Sequence, residues 1–202
     1  MLLSILYLAL FIYVGLLLAR RAVPDGSAAV ILPLGCGFGV SLLAVLPAVL
    51  ALALGFTLPA VLLAAAAAGV LGGVLLRRGV RLRGMAKDAD CGALWACILP
   101  VALITLYLLH THVLHMVNGA YHTGQSCYGD MPMHLGFIKY IAQSGEFLPC
   151  YPLLGGEHRF GYPFLCETVS SVFLVLGADL RTAYLPVSYT HLRAHETDSY
   201  LV

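Results

Sequence analysis

The chain has 202 residues, of which 60% are hydrophobic and 10% are charged, and its formal net charge is +1. Soluble domains carry about 25% charged residues, so the composition excludes an ordinary soluble globular protein. The near-neutral charge offers nothing that would recruit nucleic acid, and no nucleic-acid partner is predicted. The mean hydropathy of +0.91 and the long apolar runs instead predict an all-α polytopic membrane helical bundle in contact with membrane lipid.

About five transmembrane helices are predicted from these apolar runs. No basic residue precedes the first run and Arg20-Arg21 follow it, which favours a retained helix over a signal peptide. The third run is rich in alanine and glycine, which suits close helix packing. Residues 1–117 hold four spans, and residues 162–186 hold the fifth and the start of a sixth. The five spans are Leu2–Ala19, Ala28–Gly55, Pro59–Leu76, Cys91–Leu109 and Tyr162–Leu176. The fourth is open to an extension toward Val117.

The basic residues orient these spans. Arg20 and Arg21 follow the first span, and a second cluster lies between the third and fourth spans: Arg77, Arg78, Arg81, Arg83 and Lys87. Because basic residues concentrate in cytoplasmic loops, both clusters are predicted to face the cytoplasm. The N-terminus and the loop 118–161 of this integral membrane protein are then extracytoplasmic.

The C-terminal residues 187–202 differ from the rest of the chain. Residues 187–197 read VSYTHLRAHET, which resembles the translation of a transposase sequencing adapter, and Tyr200-Leu201-Val202 resembles its continuation. The tail is therefore predicted to be non-native and is excluded from functional reasoning. It implies a natural chain truncated near Pro186, and a fragment of that kind is expected to be inactive.

The external loop contains one predicted helix, over residues 131–143. Asp130 suits an N-cap and Pro132 suits the first turn, while Ser144-Gly145 end the helix. Its apolar stripe predicts an amphipathic helix lying along the outer membrane surface, the stripe being Met133, Leu135, Phe137, Ile138, Tyr140, Ile141 and Ala142.

Asp130 and His134 are predicted to lie close together at the start of this helix. A carboxylate there suits a general base or a ligand for a divalent metal, and the histidine suits orienting it, binding the metal or contacting phosphate. The spacing alone favours a simpler interpretation, in which Asp130 only caps the helix and His134 sits at the membrane interface.

A family resemblance favours the functional interpretation. Residues 128–142, YGDMPMHLGFIKYIA, with residues 147–181, FLPCYPLLGGEHRFGYPFLCETVSSVFLVLGADLR, resemble the first external loop of C-type glycosyltransferases. These multi-pass membrane enzymes use polyprenyl-phosphate-linked sugars, so the resemblance implies that donor as partner. Because the similar members are bacterial, it also implies a bacterial plasma membrane as the location. It implies Asp130 as catalytic base or as ligand of a divalent cofactor, Mg or Mn. In that family the loop usually follows the first span, whereas here it follows the fourth.

Four further residues are predicted to bind substrate. Glu157, His158 and Arg159 lie in a glycine-rich turn, where the guanidinium matches a lipid-linked phosphate; the alternative is a solvated turn. Glu167 lies just inside the fifth span, where an acid usually faces a cavity or a partner, unless it reaches outward to water. Lys139 is assigned to the solvated face of the loop helix.

The remaining histidines and cysteines give weaker patterns. His110, His112, His115 and His122 cluster near the outer end of the fourth span, with His112 and His115 spaced to share a helical face. No tight zinc motif is present, so ordinary interfacial histidines are preferred. Cys127 and Cys150 flank the loop helix and are either disulfide-bonded or reduced. The alternative to a glycosyltransferase is a non-enzymatic membrane protein, either a transporter or an assembly factor for surface polysaccharide.

Overall fold

The fold comes from a computed structural model, which describes residues 2–83, 91–108, 111, 114–123, 130–146, 150, 158, 161 and 164–184. Within these ranges the side chains of Cys91, Ala93, Leu94, Thr123 and Asp130 are not described. The elements in chain order are α1 (Leu2–Ala22), α2 (Ala28–Leu54), α3 (Leu58–Arg77), α4 (Cys91–Leu108), β1 (Leu114–Val117), β2 (Ala120–Thr123), α5 (Asp130–Ser144) and α6 (Glu167–Val175). The predicted all-α class is confirmed.

Helices α1, α2 and α3 form an up-down-up bundle of membrane type. Each is long and apolar enough to cross a membrane, with mean hydropathies of 2.6, 2.3 and 2.2. Large apolar side chains such as Leu6, Val49 and Val70 are exposed on the outside of the bundle. A helix that is apolar all round suits lipid on one side and protein on the other. The protein is therefore an integral membrane-type helical protein.

Helices α1 and α2 meet through their backbones, at Gly15 and at a Gly-x-x-x-Gly pair, Gly35 and Gly39. A methyl group added at Gly15 would overlap the carbonyl oxygen of Gly35, and one added at Gly39 would lie 2.8 Å from the Cα of Ile12. Such small residues allow helices to approach closely in a membrane. The sequence interpretation had placed the close packing in α3, so this α1–α2 contact was missed.

A β-hairpin follows α4. Strands β1 and β2 are antiparallel, and Asn118 and Gly119 turn between them with φ values of 51° and 82°. Asn-Gly is the strongest short signal for this tight turn. The predicted extension of the fourth span toward Val117 is therefore wrong, because Leu114–Val117 is a strand. His115 accordingly shares no helical face with His112, which lies outside the described residues; it is paired across the strands with His122.

Helix α6 is shorter than the predicted span over 162–176. It covers nine residues, about 14 Å at 1.5 Å per residue, against about 30 Å of hydrocarbon. Gly177 has φ +85°, and Ala178 N–H donates to the Phe173 carbonyl, which together close a Schellman turn. The chain then turns back, and the helical segment 180–184 places Tyr184 against Met131 and Ile138 of α5.

The two ends of the α1–α3 bundle differ in character. Arg20 and Arg21, at the end of α1, line one cavity together with arginines that follow α3, so the two basic clusters lie at one end, as predicted. At the other end, the Phe56 N–H donates to the Gly145 carbonyl at 2.7 Å. That bond joins the α2–α3 loop to the residue after α5, which places this end of α5 opposite the arginines.

Candidate functional site

A buried hydrogen-bonded pair of side chains joins α5 to α6. His134 Nδ1 lies 2.7 Å from Glu167 Oε1, and the two residues are 4% and 0% exposed. Both were predicted as substrate-binding residues from separate motifs 33 positions apart. The structure brings them together, with Glu167 at the first residue of α6 and His134 one turn into α5. Glu167 therefore does not reach outward to water, and His134 does not lie at an open interface.

The surroundings of the pair hold both side chains in place. The Phe137 ring stands edge-on to the His134 ring, with centroids 6.3 Å apart and an angle of 87° between planes. The Cys166 thiol lies 3.7 Å from Glu167 Oε1, within hydrogen-bond range for sulfur. Ring contact on one side and a thiol on the other restrict rotation of both groups.

Helix α6 carries three more buried polar side chains, and each hydroxyl lies within hydrogen-bond distance of a backbone carbonyl of another segment. The Thr168 hydroxyl lies 3.0 Å from the Ala44 carbonyl of α2 and 2.6 Å from the Leu165 carbonyl. The Ser171 hydroxyl lies 3.1 Å from the Ile138 carbonyl of α5 and 2.9 Å from the Glu167 carbonyl of its own helix, so each of these two hydroxyls shares its one hydrogen between two acceptors. Ser170 Oγ donates to the Ala183 carbonyl at 2.7 Å. Hydroxyls of this kind link helices where water is excluded. The run Glu-Thr-Val-Ser-Ser in an apolar segment was the available signal, and the sequence interpretation used only its glutamate.

The pair links the start of α5 to the start of α6 inside the protein. An imidazole that carries a hydrogen on Nδ1 donates this bond to the Glu167 carboxylate. The pair is thus suited to hold the start of α5 on the core.

The other predicted site residues are only partly described. Helix α5 begins at Asp130, one residue earlier than predicted, so this residue lies in the first turn. The Asp130 carboxylate, Glu157 and Arg159 lie outside what the structure describes, as does the tail 187–202. His158 is exposed, Lys139 is exposed on α5 as predicted, and Cys150 has a free thiol, with Cys127 outside the described residues.

The described side chains do not supply the implied Mg or Mn with a ligand set. Within these ranges no three of the His, Cys, Asp and Glu side chains converge on one point. His134 and Glu167 contact each other directly at 2.7 Å, which leaves no room for an ion between them. The metal predicted at Asp130 stays a prediction, and no chemical step is derived through it.

Comparisons of the chain with protein-family models, with curated proteins and with solved structures found no match. The glycosyltransferase resemblance of residues 128–181 and the adapter resemblance of the tail stay predictions.

Proposed function

We propose that this chain is part of an integral membrane glycosyltransferase of the bacterial plasma membrane. It transfers a sugar from a polyprenyl-phosphate donor to an extracytoplasmic acceptor. The observation that carries the proposal is the 2.7 Å contact between His134 and Glu167. It fixes the start of α5, the helix that Asp130 begins, and a catalytic carboxylate needs a rigidly held backbone.

The arrangement of the bundle supports an extracytoplasmic location for this chemistry. The residue after α5 is bonded to the α2–α3 loop, at the end opposite the arginines. If the arginines face the cytoplasm, as the positive-inside rule predicts, then Gly145 and the α2–α3 loop face outward. That is the side on which a polyprenyl-linked sugar meets an extracytoplasmic acceptor.

The proposed reaction is an inverting displacement. Asp130 takes the proton from the acceptor hydroxyl, whose oxygen forms a bond to the anomeric carbon of the sugar. The bond from that carbon to the phosphate oxygen breaks, and polyprenyl phosphate leaves with the bonding electrons. His134 and Glu167 act as positioning residues that hold Asp130 at the reacting atoms. His158 and Arg159 are the proposed contacts to the phosphate of the donor.

The test uses the protein encoded by the uninterrupted reading frame, reconstituted in liposomes. It measures the transfer of sugar from radiolabelled polyprenyl-phosphate hexoses. Asp130→Asn is expected to lower kcat by about 100-fold or more, the range of a lost general base. Glu167→Gln keeps a hydrogen-bonding group at the pair, so it is expected to lower kcat several-fold with little change in KM. Lys139→Gln, an exposed change on the same helix, is the matched control and is expected to leave transfer unchanged. Unaltered transfer by Asp130→Asn would refute the catalytic assignment.

The buried pair itself also favours a second function. Buried ionisable residues of membrane proteins commonly belong to proton relays in transporters, and His134 and Glu167 are buried and in contact. A transporter or polysaccharide assembly factor would use a proton carried by the pair to drive movement. Proton uptake into liposomes that is abolished by Glu167→Gln and unaffected by Asp130→Asn would favour this function over sugar transfer.

A further inference from the structure

A cavity of about 310 Å³ lies at the basic end of the bundle. It is lined by Pro24, Gly79, Val80 and five arginines, the arginines being Arg20, Arg21, Arg78, Arg81 and Arg83. The first two close α1 and the other three follow α3, more than fifty positions later in the chain. The fold therefore gathers two separate basic clusters around one space of a size that small ligands occupy.

The backbone after α3 is built to hold its arginines at this cavity. Gly79 has φ +84°, Gly79 N–H donates to the Leu76 carbonyl, and Val80 N–H donates to the Leu75 carbonyl. These bonds form a Schellman turn, which reverses the chain directly after the helix. Arg81 Nη1 then bonds the Leu76 and Val80 carbonyls. The guanidinium is thus fixed against the helix end before any ligand arrives.

The charge of the cavity points to an anion. None of the described residues that line it is acidic, and five guanidinium groups line the same space. The orientation of the protein in the membrane requires basic residues in the cytoplasmic loops. It does not require these residues to line one cavity. Guanidinium groups bind phosphate with paired, directional hydrogen bonds, so this convergence suits a phosphate group.

We propose that this cavity binds a phosphate group, presented by the headgroup of an anionic phospholipid in the adjoining leaflet. The cavity lies at the ends of α1 and α3, two helices long and apolar enough to cross a membrane, which is where lipid headgroups would lie around a spanning bundle. Basic pockets between membrane helices hold anionic headgroups in this way. The site is at the end of the bundle opposite Gly145 and the α2–α3 loop, so it is independent of the proposed sugar transfer.

The chain offers a closely matched pair of test variants. Arg77 and Arg78 are adjacent and both exposed, but only Arg78 lines the cavity. Each of Arg77→Gln and Arg78→Gln removes one positive charge from the same end of α3. A third variant, Arg78→Lys with Arg81→Lys, keeps every charge, and therefore the membrane orientation, while it removes the forked geometry of the guanidinium.

Two binding measurements on the purified full chain distinguish the sources of phosphate. In the first, the protein in nonionic detergent is titrated with phosphatidylglycerol or with phosphatidylcholine, and native mass spectrometry counts the lipid molecules that stay bound. Calorimetry with inorganic pyrophosphate, in phosphatidylcholine nanodiscs, tests a soluble phosphate. We expect phosphatidylglycerol to bind preferentially, Arg78→Gln and the double lysine variant to bind it about tenfold more weakly, and Arg77→Gln to match the unaltered protein.

Each outcome is decisive for the phosphate site. Arginine-dependent binding in either measurement supports it, and the tighter of the two ligands identifies the source of the phosphate. Equal weakening by Arg77→Gln and Arg78→Gln would reduce the effect to general surface charge and overturn the proposal. So would an absence of preference for phosphatidylglycerol together with an absence of pyrophosphate binding. Far-UV circular dichroism of each variant establishes that the helices are retained.

Discussion

Helices α1 and α2 pack through glycine backbones, whereas α5 and α6 pack through hydrogen-bonding side chains. In the first pair, Gly15, Gly35 and Gly39 bring the two helices into direct contact. In the second pair, His134 binds Glu167, and the Ser171 hydroxyl lies within hydrogen-bond distance of the Ile138 carbonyl. Both arrangements suit an environment without water. The difference shows that the bundle is an apolar scaffold, while polar groups are concentrated where α5 is held.

Substitution at the His134–Glu167 pair is expected to change the free energy of unfolding more than substitution at the glycine contact. Replacing His134 with leucine leaves the Glu167 carboxylate buried without its histidine, a loss that costs about 3–5 kcal/mol in the free energy of unfolding. Replacing both residues with leucine removes the two polar groups together and is expected to recover most of that loss. The measurement is unfolding in mixed micelles by titration with sodium dodecyl sulfate, followed by circular dichroism.

His158→Leu, a change at an exposed histidine, is the control for that cycle and is expected to be nearly neutral. If His134→Leu and the double variant were equally destabilised, the pair would contribute packing alone, and the contrast between the two regions would disappear. Rescue by the double variant would instead assign the cost to the unpaired charge.

The glycine contact is expected to give the next largest effect. Gly15→Ala places a methyl group on the Gly35 carbonyl. Because the methyl is fixed directly to the α1 backbone and the carbonyl belongs to the α2 backbone, neither can rotate away and the helices must separate. Overpacking of this kind costs about 1–3 kcal/mol. Gly37→Ala is the matched control, since nothing lies within 4 Å of the added methyl. The control is expected to be neutral or slightly stabilising, because alanine favours helix over glycine by roughly 1 kcal/mol.

The same micelle titration compares the two alanine variants. Equal stabilities for Gly15→Ala and Gly37→Ala would mean that α1 and α2 do not depend on backbone contact. The scaffold would then be held by apolar side chains alone.

The scaffold was largely predictable and the site was not, for a physical reason. Hydropathy placed α2 at 28–55 against the observed Ala28–Leu54, because a run of apolar residues carries its own helical signal. The contact of His134 with Glu167 depends on how two helices pack, and no local pattern encodes that. Each residue was predicted to be functional by itself, but their pairing needed the fold.

One local signal was present in the sequence and was not used. Asn118-Gly119 marked the hairpin that replaced the end of the fourth span, and the apolar run was given more weight than these turn residues. The end of α6 was predicted to within one residue, Leu176 against the observed Val175, and the difference lies at its start, Tyr162 against Glu167. Glycine and Asn-Gly have backbone preferences that end a helix even in an apolar context.

Asp179 provides the smallest expected effect, because its hydrogen bonds are formed at the surface. Its carboxylate accepts from the Thr182 hydroxyl at 2.5 Å and from the Thr182 N–H at 3.0 Å, which caps the segment 180–184. These two bonds lower the pKa of Asp179 from its ordinary value of 3.8. Asp179→Ala is expected to cost at most about 1 kcal/mol, since a lost cap costs roughly that much and exposed charges are screened.

The sign of the pH effect at Asp179 follows from the lowered pKa. The folded protein binds this proton less readily than the unfolded chain, so the stabilisation is fully present above pH 3.8 and is lost as the pH falls through the lower folded value. Asp179→Asn keeps an acceptor oxygen without a titrating group, so its stability should not change at this site. The difference in Tm between the unaltered protein and Asp179→Asn, measured in nonionic detergent, should therefore narrow on acidification below pH 4. If the difference in Tm stayed constant across that pH range, the Asp179 carboxylate would not interact with Thr182. The contribution of the buried α5–α6 contacts to stability would be unaffected by that result.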